Sequence, residues 1–334
     1  MPPISRLVVA LTPDELRTFL PEGLTAGLGG LADQVDLVDT TDLEEASFQT
    51  QLARLNPQVL VACWRTPSLP RSLPSNLRYV CYLGGSVRKL VTRAHLEKGL
   101  VVSNWGASIS RVVAESALML ALASLRRAGE WMPAMQRDGA WKEPSLQTAS
   151  LFGRSVGIHG FGRVAQELIR LLRPFGVPIG ICAPEADDAH YARHGVTRVP
   201  TLEGLFSSND VIFDLAPLIP ATTGLVTEAL LRRIRSGGVF VNVGRGAVVD
   251  EAGLCAVARE GRIQIGLDVY ATEPLPADSA LRNLTNVILS PHIGGPTTDR
   301  RRDAGAFGLA NLRAYAEGRA LDSVVTPAVY DTAS

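Results

Sequence analysis

The sequence predicts an α/β protein made of two doubly wound domains, each a parallel sheet covered by helices on both faces. Three observations predict it. The chain has 334 residues, which is long for one hydrophobic core and natural for two. Short β-branched runs alternate with longer helical patterns along most of its length, the rhythm of strand–helix–strand crossovers. Between residues 155 and 172 an apolar run, a glycine-rich turn and a helical pattern follow one another without a break.

In the first third, strands are expected at residues 7–11, 35–38, 59–62, 79–82 and 101–102, with helices at 13–20 and 43–55. Pro13 suits a first helical turn, and Thr12 before it can cap. His95 lies on a helical stretch ending in Gly99 and is expected at the surface. In the middle of the chain, strands are expected at 155–159, 178–182, 211–214, 239–243, 264–269 and 287–289, and helices at 163–172, 201–206, 228–234 and 251–259. His190 and His194 straddle one helical face and are expected to meet solvent, whereas His159 falls inside a strand and should pack. Residues 111–127 break the rhythm with a long stretch rich in Ala and Leu, more apolar than a surface helix needs. Such a helix should be buried between domains or against another subunit. A helical piece at 130–137, a loop through Trp141 and Pro144, and a helical tail at 299–318 complete the reading.

Composition removes several functions. Lys plus Arg and Asp plus Glu both number 33, so nothing suggests a nucleic-acid face or an acidic tail. The four cysteines, Cys63, Cys81, Cys182 and Cys255, are widely spaced and mostly lie in apolar runs, as buried free thiols in a reducing compartment would. No Cys/His cluster has metal-ligand spacing, so no metal site is expected. No window approaches the about 18 uninterrupted apolar residues of a membrane span. The start, Met1-Pro2-Pro3-Ile4-Ser5-Arg6, lacks the basic-then-apolar pattern of a signal peptide. The expectation is a cytoplasmic protein without membrane partners.

The strongest local motif is Gly160-x-Gly162-x-x-Ala165, between the apolar run 155–159 and the helix 163–172. Gly160 permits a tight turn out of the strand. Gly162 lets backbone amides approach a pyrophosphate, and a small residue at 165 lets helix pack on strand. The helix N-terminus then offers its partial positive charge to the phosphates. Glycines alone often serve turns, but this strand-before, helix-after context points to a Rossmann-like dinucleotide site. The next strand should end near an acid that grips the adenosine ribose; here it ends Cys182-Ala183-Pro184-Glu185, with Ala183 at the acid's position. The nearest basic residue along the chain is Arg193, so the missing cation favours NAD, with NADP left open.

Four further motifs follow in order: Leu215-Ala216-Pro217-Leu218, with Thr222 soon after; Asn242-Val243-Gly244-Arg245-Gly246; Asp268 with Glu273-Pro274 five residues on; and Pro291-His292-Ile293-Gly294. From 77 to 319 the chain resembles the D-isomer-specific 2-hydroxyacid dehydrogenases, while residues 1–76 match only in pattern. The resemblance implies a flavodoxin-like substrate domain, residues 1–106 with 295–334, and an NAD-binding domain, residues 107–294. It implies a cleft between them and a homodimer built on the cofactor domain. It places a dinucleotide against Gly160, Phe161, Gly162, Arg163, Val164, Ala183, Pro217, Thr222, Val243, Gly244, Arg245, Asp268, His292 and Gly294, with Asp268 on the nicotinamide side. It makes Arg245 the carboxylate ligand, His292 the proton carrier and Glu273 the partner of His292.

Chemistry asks for those residue types. Reducing a 2-oxo acid puts a hydride on the carbonyl carbon and a proton on its oxygen. An imidazole can carry that proton in either direction. A neighbouring carboxylate favours the imidazolium and fixes the ring. A guanidinium offers parallel donors to a carboxylate. Singly, an arginine between glycines, a histidine after proline and a glutamate before proline are ordinary turn residues; their order after a dinucleotide loop makes the functional reading the better one.

The resemblance also implies a glycine-rich substrate loop at Gly84-Gly85-Ser86, whose amides take a substrate carboxylate. Arg88-Lys89 replaces the family's usual Asp-Asn there. Either they meet a second anionic group, which leaves a phosphonate- or phosphite-like substrate open, or they are solvated side chains after the turn. Trp64, Arg65 and Trp105 are pocket candidates. A reading of another class is a dinucleotide-sensing binding protein without turnover.

Overall fold

The computed structural model describes residues 4–332 apart from Ser145. Residues 1–3, which open the amino-terminal reading, lie outside the described residues. The chain divides into two compact units, one running to Ile109 and resuming at Pro296, the other Ser110–Gly295.

The first unit holds β1 (Ile4–Leu11), β2 (Ala32–Asp39), β3 (Val59–Ala62), β4 (Tyr79–Tyr82) and β5 (Val101–Ser103) in one parallel sheet of order β2-β1-β3-β4-β5. That is the flavodoxin-like order. Every side chain of β3 and β4 is buried, as strands covered on both faces must be. β2, at the edge, alternates Asp and Gln with Val and Leu and is mostly solvated, which caps the sheet with polar side chains. Helix Pro13–Phe19 starts as expected: the Thr12 side chain accepts from the Glu15 N–H, and the Glu15 carboxylate answers at the Thr12 N–H.

The second unit adds β6 (Val156–His159), β7 (Ile179–Cys182), β8 (Thr197–Arg198), β9 (Val211–Asp214), β10 (Val239–Asn242), β11 (Gln264–Leu267) and β12 (Val287–Leu289). Their parallel order is β12-β11-β10-β9-β6-β7-β8. Strand order reverses between β6 and β9, so a crevice opens above their carboxyl ends, where doubly wound folds bind ligands. β8 was not expected: two exposed residues are too short to leave a pattern.

The apolar helix, Ser110–Leu125, is accounted for within its own unit. Ala114, Ala117, Leu120 and Ala121 are fully buried, and the helix packs on β10, β11 and the helix Arg163–Leu172. All four cysteines are buried and unpaired. Three histidine expectations need correction. His95 is buried, because its ring closes the capping box of helix Arg93–Glu97 by accepting from the Thr92 N–H at 3.2 Å. His190 and His194 turn from solvent to pack on Phe161, with ring centroids 4.3 Å and 5.4 Å away. His159 packs as expected but also hydrogen-bonds Asp214 at 2.9 Å across β6 and β9. A short helix, Pro327–Thr332, was likewise missed; Arg88 and Arg93 hold it.

Candidate active site

The site is built on the carboxyl ends of the second unit's strands. β6 leads into Gly160, whose φ of +90° an L side chain rarely adopts; a β-carbon there would lie 3.0 Å from the Ala216 backbone. The close approach lets the Gly160 turn sit directly against the loop leaving β9. Gly162 caps the helix Arg163–Leu172, and the space above its α-carbon is open. Arg163 and Val164 form the first helical turn beside that space. Phe161 points the other way, into Tyr191, His190 and His194, so only its backbone faces the crevice. An open glycine at a helix N-terminus above a strand-order reversal is a fit for a dinucleotide pyrophosphate.

The ribose and adenine side lies at β7. Ala183 is buried and its carbonyl accepts from the Tyr191 hydroxyl at 3.0 Å, so its side chain grips nothing. Beside it opens a cavity of about 470 Å³ lined by Cys182, Pro184, Leu202, Glu203, Leu225 and Arg233, among others. Arg233 is a cation that reading along the chain could not place here: it is distant in sequence and arrives on the turn after Glu228–Leu231. Burial raises the Cys182 thiol above its ordinary pKa, and the carboxylates of Glu185 and Glu203 raise it further. Pro217 is exposed, and the Thr222 hydroxyl is spent on its carbonyl at 2.6 Å, shaping the turn.

The second half of the site follows β10, β11 and β12. Asn242 folds the turn after β10: its oxygen accepts from the Gly244 N–H at 3.0 Å, and its amide donates to the Arg245 carbonyl at 3.1 Å. Val243 is buried, and Arg245 is half-buried with one guanidinium nitrogen on the Gly244 carbonyl at 2.7 Å. Burial lowers the Arg245 pKa from its ordinary value, and Glu273 opposes that shift by its charge. Glu273 in turn has both oxygens assigned. One accepts from the Tyr270 N–H at 3.0 Å; the other is 2.6 Å from Nδ1 of His292.

His292 sits at φ +53° in the turn after β12, with its side chain half exposed. What holds that turn is Asp268. This buried carboxylate accepts from the Ser290 hydroxyl at 2.5 Å and from the Ile293 and Gly294 N–H groups at 2.9 Å and 2.8 Å. The expected cofactor contact of Asp268 is therefore corrected: its oxygens already serve the histidine turn. Tyr270 supplies a second brace, its hydroxyl donating to the Ser290 carbonyl at 2.8 Å; burial pushes that hydroxyl's pKa up to about 12. The structure thus brings Arg245, Glu273 and His292 together, and the braces Asn242, Asp268, Tyr270 and Ser290 went unassigned in the sequence because hydrogen-bond partners 20 or so residues apart leave no local pattern. The Gly84–Ser86 turn belongs to the first unit. Arg88, after it, donates to the carbonyls of Tyr330 and Asp331 at 2.8 Å and 3.2 Å and lies over the Tyr330 ring.

Fold and site define a dinucleotide-binding α/β protein with an imidazole–carboxylate pair beside a guanidinium. Residues 118–294 match the family model of the D-isomer specific 2-hydroxyacid dehydrogenase, NAD binding domain, and the chain belongs to that family. The D-3-phosphoglycerate dehydrogenase of Mycobacterium leprae (strain TN) is 31% identical over 250 residues, 75% of this chain and 47% of that protein. The chain spans about half the length of these curated relatives. Glyoxylate/hydroxypyruvate reductase B of Pectobacterium carotovorum subsp. carotovorum (strain PC1) is 33% identical over 242 residues, covering 70% of this chain and 74% of that one. Among solved structures, the NADPH-dependent glyoxylate/hydroxypyruvate reductase of Sinorhizobium meliloti, in complex with citrate, superposes with a TM-score of 0.74 at 27% identity, over 99% of this chain and 100% of that one.

Proposed function

We propose that the protein reduces a small 2-oxo acid to its D-2-hydroxy acid, with NAD as the preferred carrier. The observation that carries this reading is the 2.6 Å contact between His292 Nδ1 and Glu273. It fixes the ring and leaves Nε2 to deliver a proton. Arg245 holds the substrate carboxylate with its guanidinium, and its partial burial strengthens that attraction. The bound nicotinamide supplies the hydride to the carbonyl carbon. His292 gives its Nε2 proton to the carbonyl oxygen as that oxygen gains charge, and Glu273 stabilises the imidazolium that donates. In the oxidative direction the same nitrogen takes the hydroxyl proton back. The dinucleotide is held by the Gly160–Gly162 turn and the cavity at Cys182 and Pro184.

The preference for NAD rests on charge. Glu185 and Glu203 act together on Cys182 at the cavity wall, so a 2′-phosphate there meets two carboxylates against the one guanidinium of Arg233. The reading with a second anionic group on the substrate loses its motivation, since Arg88 is committed to the carbonyls of Tyr330 and Asp331. A homodimer on the second unit is part of the proposal, supported by exposed Met119, Met132 and Met135 on consecutive helices. So is a cytoplasmic location, supported by four unpaired thiols. Among the described residues no helix is long and apolar enough to cross a membrane.

The test follows NADH oxidation with a panel of 2-oxo acids, with chiral analysis of the product. Reduction to the D-hydroxy acid is expected, faster with NADH than with NADPH. Tight NADH binding with no turnover of any 2-oxo acid would instead favour the dinucleotide-sensing protein.

A further inference from the structure

The first unit bears on what the substrate carries beyond its carboxylate and carbonyl, and the inference here rests on the reductase reading above. The turn Gly84-Gly85-Ser86 leaves the end of β4. Its carbonyls are spent: Gly84 accepts from the Trp105 N–H at 3.1 Å, and Gly85 from the Asn104 side-chain amide at 2.9 Å. Its three N–H groups donate to no partner among the described residues. Donors to spare and carbonyls engaged give the turn the polarity of an anion site.

Two indoles rest on that turn. A β-carbon on Gly84 would lie 3.0 Å from Trp64 Nε1, and one on Gly85 would lie 2.9 Å from the Trp105 ring. Neither position tolerates a side chain without moving a ring. Trp64 is held on three sides. It meets Phe19 edge-on at 5.1 Å and Trp105 at 5.9 Å, and the Arg301 guanidinium lies 5.2 Å from its ring centroid. It is nevertheless 41% exposed. An aromatic ring immobilised by its neighbours and bare on its remaining side is a preformed apolar surface, with the ordering cost already met by the fold. It stands directly beside spare anion donors.

From this juxtaposition we infer that Trp64 and Trp105 select the substrate's side chain, and that the substrate class is 2-oxo acids with an aryl or bulky apolar group. A carboxylate on the 84–86 donors sets the group attached to the carbonyl against the indoles. Glyoxylate carries only hydrogen there and leaves both rings in water. Phenylpyruvate covers them. Arg65, exposed beside Trp64 and held at its N–H by Glu15, offers the competing choice of a second carboxylate.

Calorimetric titration of the NAD⁺-saturated enzyme with phenylpyruvate, glyoxylate and oxaloacetate tests this, with NADH turnover on the same ligands. Phenylpyruvate should bind about tenfold or more tighter than glyoxylate. Trp64→Ala should erase that preference and leave glyoxylate binding within about twofold. Trp64→Phe, which keeps an aromatic face and the packing on Phe19, should retain most of it; if Trp64→Ala fails to fold, Trp105→Leu replaces it. Equal affinities, a preference that survives loss of the indole, or binding of none of the three overturns the inference. Oxaloacetate as the tightest ligand assigns selection to Arg65 and overturns it too. Preferential phenylpyruvate binding without turnover leaves the pocket standing and sinks the reductase reading alone.

Discussion

At the scale of single residues, the site separates the group that transfers a proton from those that aim it. His292→Ala removes the proton carrier but touches neither the Gly160 turn nor the cavity at Cys182. Turnover should fall by about a hundredfold to ten-thousandfold while NADH affinity, read by fluorescence titration, stays unchanged; equal turnover would remove His292 from the mechanism. Asp268 makes a different prediction. Its carboxylate accepts three hydrogen bonds from the turn that carries His292, and Asn at 268 would oppose an NH₂ to one of those donors. Asp268→Asn should therefore cost about 2 kcal/mol in urea unfolding and lower kcat more than it raises the KM for NADH. An unchanged kcat would show that the turn holds without it. The contrast marks what a sequence discloses about a site. Arg245, Glu273 and His292 stand in recognisable motifs because their chemistry demands particular residue types. The service of Asp268, Asn242 and Tyr270 is hydrogen bonding across loops, which many residues could supply, so only coordinates reveal it.

At the scale of elements, Gly160 is the residue on which the dinucleotide turn depends. With φ at +90° and the Ala216 backbone 3.0 Å from any added β-carbon, Gly160→Ala meets strain and collision together. It should cost about 1–3 kcal/mol of stability and abolish measurable NADH binding, whereas Gly162→Ala, with open space above it, should fold normally and lose affinity only. Equal folding stability in the two variants would contradict this. The helix Arg93–Glu97 gives a pH prediction. Burial holds the His95 pKa below its ordinary value of 6.5. The unfolded chain then takes up the proton first as pH falls, so this contribution is complete above pH 6.5 and is lost on acidification through the lower folded-state value. His95→Gln keeps an acceptor for the Thr92 N–H and should flatten the decline in urea stability between neutral and mildly acid pH; a decline as steep as the parent's would count against it. Strands and long helices were legible because apolar runs such as β3, β6 and β10 are buried on both faces. β8 and the helix Pro327–Thr332 were not. Two exposed residues carry no period, and the short helix stays in place through Arg88 and Arg93, distant in sequence.

At the scale of the whole molecule, formal charge is zero, so long-range electrostatic repulsion does little to keep copies apart. Surface apolarity decides association instead. Met119, Met132, Met135, Trp141 and Phe152 are between 47% and 72% exposed, all within one stretch of the second unit that starts at the helix Ser110–Leu125. The inner face of that helix is fully used by its own sheet, so its high apolar content does not require a partner; the exposed methionines do suggest one. Methionine and large aromatics are the side chains that interfaces concentrate, and in water they would be a liability. Light scattering coupled to size exclusion should give a mass near twice the 35.7 kDa of the chain. Met132→Glu combined with Met135→Glu places charge on two exposed positions of the helix Ala128–Asp138. Neither residue contributes to the buried core of the unit, so the variant should fold and run as a monomer. A native-size dimer in the double variant would move the interface elsewhere, and a monomeric parent at micromolar concentration would leave the patch to some other purpose.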